Sequence, residues 1–309
     1  MITYNHERFL AQAIDSALAQ RTPFDVEIVV GEDCSKDRTR EILRAYTERY
    51  PGRVRALLPE KNLGINRNLV ATLRACQGEY VALLEGDDFW TDPNKLQKQV
   101  EFLDARPDFE LCFHDVTTIR DDDPTSVRQR RTPVRGKSVL SLNDLLLIGN
   151  FIPTCSAVFR NRDFSQMPDW FFSLRIGDYP LNMMTAERGK LGYLPGAMGC
   201  YRLHTGGTFS AQSNQRNVEE MVRMMDLVKQ YFGGRYDQTI EIMQNYHRAV
   251  ECFRQGDVAR GKQLAAACLR ERPLSARVAK AALMAYLPGV YQALRRVRDG
   301  VAAASARAH

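Results

Sequence analysis

The sequence predicts an α/β fold, a Rossmann-type mixed sheet flanked by helices, followed by an α-helical C-terminal appendage. Three observations predict it. Short apolar runs alternate with segments of helical periodicity up to residue 84, polar loops follow several of those runs, and strand signals vanish from residue 213 onward. Alternation of this kind builds a largely parallel sheet with helices on both faces. The expected organisation is a 1–212 domain whose first strand is truncated, then a helical region over 213–309.

Met1-Ile2-Thr3 reads as the end of a buried strand whose first half is missing. A shortened interior strand leaves neighbouring backbone groups unpaired, at ~1–3 kcal/mol each. Phe9, Leu10, Ala13, Ile14, Ala17 and Leu18 recur at helical spacing, with Asn5 as a candidate N-cap. Residues 26–30 form a strand and lead into the polar loop 31–37. A helix then runs to Tyr50 and stops at Pro51-Gly52. A strand at 54–58, a helix at 64–76 and a strand at 80–84 follow. Further on, the pattern predicts a helix at 95–106, an alternating strand at 109–116 and an exposed loop at 117–138. It continues with a helix at 140–148, a strand at 154–160, a helix from Asp178 to Gly189 and short strands at 192–194 and 197–202. Helices fill 215–232, 237–255, 257–271 and 276–299. The spacing of Ala249, Phe253, Gly256, Asp257, Ala265, Leu269 and Pro273 is similar to a single tetratricopeptide helix pair, which does not make an array.

With 309 residues, 44% of them hydrophobic and 26% charged, the chain buries a core without staples. Seven scattered cysteines form no C-x-x-C pair, which argues against a disulfide framework and a structural zinc site. The cysteine pattern points to a reducing cytoplasm. No leader opens the sequence and no apolar run approaches membrane-spanning length. The net charge of +6 suits anionic small molecules or a membrane surface. Residues 284–298 alternate apolar side chains with arginines, which suits a helix packed on its own protein with arginines in solvent, the favoured reading, or a basic helix lying on the inner face of a membrane. Nothing in the chain calls for nucleic acid as a partner.

In parallel sheets of this kind ligands bind beyond the carboxyl ends of the strands, so the polar tips matter most. Glu85-Gly86-Asp87-Asp88 follows an apolar strand directly. Carboxylates so close repel one another unless a cation sits among them, and magnesium or manganese with substrate phosphates fits that donor set. A solvated acidic turn is the plainer alternative. Asp33, in Glu32-Asp33-Cys34-Ser35, offers a hydrogen bond to a base or ribose, or caps a helix. Asn62-Leu63-Gly64 with Arg67 stands at a helix start and suits phosphate, or is a capped helix with an exposed arginine. Asp178 is either an N-cap or a general base. His204, between a strand and glycines, reaches a metal or diphosphate, or is a surface side chain.

Taken in order, these segments resemble the family 2 glycosyltransferases. The resemblance rests on Ile2-Thr3-Tyr4-Asn5, Glu32 to Thr39, Asn62-x-Gly64 with Arg67-Asn68, Gly78-Glu79-Tyr80 leading into Glu85-Gly86-Asp87-Asp88, Gly177 to Leu181, and Tyr201-Arg202-x-His204. It covers residues 1–210 and implies the GT-A fold and an inverting, metal-assisted hexosyltransferase using a nucleotide-sugar donor, usually a UDP-sugar. The acceptor it implies is a hydroxyl on a glycan or lipid-linked oligosaccharide in polysaccharide or glycolipid biosynthesis. Residue by residue, it implies that Tyr4 lines the base pocket, Asp33 bonds the base, and Asn62 and Arg67 contact the nucleotide. It gives Glu85, Asp87 and Asp88 the ribose and a divalent cation (Mn2+ or Mg2+), His204 the metal or diphosphate, and Asp178 the role of catalytic base. Glu85 stands where aspartate is commoner, and Gly31-Glu32 replaces a more usual aspartate pair. A nucleotide-sugar-binding or scaffold protein without turnover is the alternative. A dinucleotide oxidoreductase would need G-x-G-x-x-G after the first strand, where the chain has Thr3-Tyr4-Asn5-His6-Glu7.

Overall fold

The computed structural model describes residues 1–134, 136–206, 214–271, 276–288 and 291. The chain divides into two compact units, Met1–Leu142 with Asn150–Ser210, and Asn143–Gly149 with Ala211–His309.

In the first unit, β1 (Ile2–Thr3), β2 (Ile28–Glu32) and β3 (Val54–Leu57) pair in parallel, in the order β1-β2-β3. A second sheet runs in the order β4 (Tyr80–Ala82), β9 (Val158–Arg160), β6 (Phe109–Arg120), β10 (Lys190–Leu203) and β5 (Phe89–Trp90). The strands β7 (Asp123–Arg130) and β8 (Val139–Leu140) pair with β6 and β10 respectively. A parallel bridge between Ile2 and Glu85 and the bond from Gly86 N to Ile2 O (2.9 Å) connect the two sheets. β9 lies antiparallel to both β4 and β6, and β10 lies parallel to β6. The carboxyl ends of β1, β2, β4, β6 and β10 therefore share one edge, and the sheet as a whole is mixed.

Helices α1 (Leu10–Leu18), α2 (Thr39–Arg49), α3 (Ile65–Ala75) and α4 (Lys95–Asp104) accompany these strands. In α1 the buried set Leu10, Ala13, Ile14 and Ala17 follows helical spacing. Leu10, Ile14, Val30, Leu43 and Leu103 are fully buried in one core, each stabilising the fold by about 1.5–3 kcal/mol. Asn5 does not cap α1. Its φ of 56° makes it a turn residue, its side chain accepts from Lys36 N (2.8 Å), and the helix starts at Leu10. β1 has two residues, and the Met1 amino group donates to Val29 O (2.7 Å), which satisfies that carbonyl of β2.

Other sequence expectations change as well, and the strand expected at 154–160 is a 3-10 turn at Thr154–Ser156 followed by β9. Residues 109–116 are buried without alternation, because β6 has strands on both sides and is covered on both faces. The segment 117–138 is largely a hairpin, with Asp121 and Asp122 at positive φ (45° and 62°) turning β6 into β7. Short polar side chains tolerate that conformation. The two short strands at 192–202 are one strand, β10, with register shifts.

α6 (Asp178–Ala186) lies in the first unit, whereas α5 (Leu142–Ile148), all but its first residue, belongs to the second, helical unit. That unit holds α7 (Asn214–Tyr231), α8 (Asp237–Gln255), α9 (Val258–Glu271) and α10 (Ala276–Tyr286). Gly256, at φ 85°, closes α8 in the left-handed conformation. At Gly261 a Cβ would lie 2.4 Å from Phe253 Cε1, so α8 and α9 meet at a position that admits no side chain. Ile242, Met243, Tyr246, Ala265, Cys268 and Ala281 form the core of this unit. All seven cysteines are free thiols. Among the described residues no helix is long and apolar enough to cross a membrane. Most of the basic stretch 284–298, with residues 289–290 and 292–298, lies outside the described residues, as do 207–213 of the loop after His204.

Candidate active site

Strand polarity gathers the polar tips. The loops after β1, β2, β4 and β10 carry Tyr4 and His6, Asp33, Glu85 to Asp88, and His204 to the same edge. Tyr4 is 39% exposed there, so its ring is free to stack. Asp33 is buried, and its two carboxylate oxygens accept from Leu63 N (2.6 Å) and Gly64 N (2.9 Å). Asn62 Nδ2 donates to Asp33 O (2.7 Å), so two segments distant in sequence form one structure. Arg67 is exposed, with its guanidinium 5.0 Å from the Phe172 ring centre.

The acidic loop approaches β1 as closely as backbone allows. A Cβ on Gly86 would lie 2.4 Å from Thr3 Oγ1 and 3.0 Å from His6 Nδ1, so only glycine fits. That contact sets Asp87 beside two imidazoles. Its Oδ2 is 2.9 Å from His204 Nε2 and 3.8 Å from His6 Nε2. Among the described residues, one group of His, Cys, Asp and Glu side chains could hold a metal ion: His6, Asp87 and His204, with donor atoms within 4.8 Å of one another. Asp87 Oδ1 is buried and has no hydrogen-bond partner. Burial raises Asp87, but the His204 bond and the His6 charge outweigh it and hold the carboxyl below the usual range. Burial lowers His6, against the pull of Asp87, which favours the neutral, ligand-ready imidazole. Thr3 Oγ1 lies 3.2 Å from His6 Nδ1 and orients the ring. His6 escaped the sequence reading because it stands in a turn with no metal-ligand spacing to another histidine.

Asp88 is outside that group. Its Oδ1 accepts from Arg202 N (2.8 Å), and burial pushes its pKa well up. Arg202, 3% exposed, is the strut of the loop. It donates to Asp87 O (2.7 Å) and Gln12 Oε1 (2.6 Å), lies 4.5 Å from the Phe9 ring centre, and pairs with Asp122 at the hairpin tip. Glu85 is raised well above the carboxylate range by burial and by Asp87, Asp88 and Asp178. That last influence puts Asp178 within electrostatic reach of the acidic loop.

Asp178 is the first residue of α6; Gly177 is the cap. Asn150 Nδ2 donates to its Oδ2 (2.6 Å). Burial raises its pKa against that bond, the Tyr179 N–H and the Arg130 charge. Its approach is fixed by Asn66 of α3, buried, which donates to Phe171 O (2.9 Å) and Leu174 O (2.8 Å). Gly177 packs so tightly on Asn66 that a Cβ would lie 2.4 Å from its Oδ1. Asn66→Ala strands two buried carbonyls at about 1–3 kcal/mol each. The expected outcome is a Tm lower by about 4–10 °C and reduced turnover, checked by calorimetry and product formation; an unchanged Tm contradicts this role.

Residues 1–164, just over half of the chain, match the family described as Glycosyl transferase family 2. An uncharacterized protein of Mycobacterium tuberculosis is 38% identical over 221 residues, 71% of this chain and 62% of that protein. The chain thus spans less than two thirds of that relative's length. The solved structure of Staphylococcus aureus TarS 1–349 with UDP-GlcNAc aligns over 97% of this chain and 90% of its own, at 17% identity and a TM-score of 0.63. A Pyrobaculum calidifontis mannosyltransferase in complex with GDP-Man and Mn2+ aligns over 98% of this chain and 79% of its own, at 16% identity and a TM-score of 0.55. These structural likenesses carry the fold.

Proposed function

The chain belongs to glycosyl transferase family 2, and from that premise we propose that it moves a sugar from a nucleotide-sugar donor to an acceptor hydroxyl with inversion, in polysaccharide or glycolipid biosynthesis. One observation carries the proposal: the Asp33 loop, the Glu85–Asp88 loop and His204 share one sheet edge, where His6, Asp87 and His204 bring donor atoms within 4.8 Å of one another.

His6, Asp87 and His204 fit a divalent cation. One carboxylate oxygen of Asp87 and two imidazoles make a three-donor set, Asp87 Oδ1 is buried with no hydrogen-bond partner, and a carboxylate with two histidines suits manganese carrying substrate phosphate better than magnesium, which prefers oxygen donors. A cation held there supplies charge neutralisation for the leaving diphosphate. Arg202 fixes the backbone of Asp87, and Gly86 sets the loop height. Exposed Tyr4 stacks on the base, Asp33 and Asn62 shape the nucleotide pocket, and Arg67 reaches its phosphates. Glu85 takes the ribose. Asp178, held by Asn150, accepts the proton of the attacking hydroxyl. Single in-line attack inverts the anomeric centre, and no side chain becomes glycosylated. The two histidines of the cluster and the raised pKa of Asp178 favour this over a binding protein without turnover.

The test is a panel of UDP- and GDP-sugars with Mn2+, scored by thermal shift and by release of the nucleoside diphosphate. At least one donor is expected to stabilise the protein and to be turned over. Stabilisation without release by any donor would instead indicate the inactive binding protein.

A further inference from the structure

The buried ring of Phe9 carries three polar side chains. The His204 ring centre lies 5.0 Å from its own, the Arg202 guanidinium 4.5 Å and the Arg8 guanidinium 5.0 Å. His204 belongs to the candidate cation group, and Arg202 braces the Asp87 backbone. Arg8, two positions after His6, does neither. A second path of contacts leads to the same residue. At the tip of the β6–β7 hairpin, the Asp122 carboxylate stands between two guanidinia: it pairs with Arg202 and, at 3.5 Å, with Arg8. Arg202 in turn donates to Asp87 O (2.7 Å). One guanidinium therefore joins the Asp87 backbone to the carboxylate that Arg8 holds.

The two pairs differ in kind. The Arg202 side chain is 1% exposed and also donates to Gln12 Oε1 (2.6 Å), so it is fixed. The Arg8 side chain is 61% exposed and that of Asp122 45%, and among the described residues Arg8 makes no other ion pair or side-chain hydrogen bond. An exposed pair with one long contact contributes little. Asp122 stays anchored by Arg202 when Arg8 lets go. A phosphate carries more charge than a carboxylate and meets the planar fork of an arginine with two bonds, so it takes the guanidinium over from Asp122.

We propose that Arg8 is a phosphate-binding residue of the donor site, held by Asp122 until a diphosphate takes over its guanidinium. This deepens the glycosyltransferase reading above and rests on it. Arg8 then works for the diphosphate and the charge of Asp122 against it, so substituting the two moves affinity in opposite directions. A salt bridge that only supports the fold moves it the same way in both. Wild type, R8Q, R8K and D122N are titrated by calorimetry with Mn2+ alone and then, in Mn2+, with inorganic pyrophosphate, UDP and GDP. R8Q is expected to weaken pyrophosphate, and whichever diphosphate binds, by about fivefold or more, with R8K restoring part of the loss. D122N is expected to tighten the same ligands by about threefold. Arg8 is a surface residue, and asparagine keeps the short polar side chain that the positive φ of Asp122 (62°) tolerates, so the variants keep the hairpin. Pyrophosphate affinity unchanged within about twofold in R8Q, or failing to rise in D122N, overturns the assignment. So does wild type that binds no pyrophosphate. A loss of Mn2+ affinity in R8Q as large as the loss of pyrophosphate overturns it too, because Arg8 then supports the cation group instead of the phosphate. If no nucleotide sugar is turned over, the glycosyltransferase reading falls while the pyrophosphate result, read by binding alone, still decides the role of Arg8.

Discussion

Asp178→Asn is expected to abolish sugar transfer and to leave donor binding intact. The substitution keeps size and the bond from Asn150 Nδ2, which an amide oxygen accepts as well as a carboxylate does. What it removes is a group able to take a proton, and general bases contribute roughly 100- to 10,000-fold to rate. The expected fall in kcat lies in that range, with nucleotide-sugar affinity by calorimetry unchanged within about threefold. Stability separates this from a structural role. Asp178 has a raised pKa in the fold, chiefly through burial. A carboxyl raised in this way stabilises the fold below its unfolded pKa, and that contribution is lost as pH rises through the folded value. Asparagine never meets that cost, so the variant should be at least as stable as wild type at neutral pH, where wild type is ionising a buried group. The pH profile follows the same sign. Transfer needs Asp178 ionised, so the acid limb of wild-type activity should rise with pH through a value above the 3.8 of an ordinary aspartate. Asp178→Asn with wild-type rates, or a wild-type limb at or below the ordinary aspartate value, would remove Asp178 from the role of base.

The strand-to-loop transitions at 31–37 and 85–88 were legible because an apolar run ending abruptly in carboxylates is a local pattern, and local patterns survive in sequence. The parallel polarity that places those tips on one edge followed from the alternation of strands and helices. What lay hidden was tertiary. His6 joins Asp87 and His204 only because Gly86 lets the acidic loop sit against Thr3, a contact across 83 positions. Asp88 reads like its neighbour Asp87 in sequence, yet its carboxylate turns to the backbone of Arg202 on β10. Lys95 opens the helix expected at 95–106, and nothing in its sequence neighbourhood marks its environment. It is buried with its ammonium 4.2 Å from the Trp90 ring centre, and burial lowers its pKa to about 7. The polar, charged run 117–138 has the composition of an exposed loop. A two-sided exposed strand such as β7 carries no apolar alternation for a reader to find.

That difference between Asp87 and Asp88 yields the second large effect. Asp87→Asn should eliminate Mn2+ binding and lower transfer by roughly 100- to 1,000-fold, the scale on which lost stabilisation of a leaving group is felt. The carboxylate is the sole anionic donor among the three, and its Oδ1 is buried with nothing to bond, a state costing about 1–3 kcal/mol that a cation relieves. Removing His6 takes away one neutral donor, so His6→Ala should weaken Mn2+ by a smaller factor. Asp88→Asn is the control that the geometry makes informative. Its amide oxygen still accepts from Arg202 N, and Asp88 is not one of the three grouped donors, so Mn2+ affinity should hold within about threefold. Isothermal titration with Mn2+ distinguishes the cases directly, without an acceptor or even a donor. If Asp88→Asn loses the ion while Asp87→Asn keeps it, the cation sits deeper than the two imidazoles, and His6 and His204 serve the fold alone.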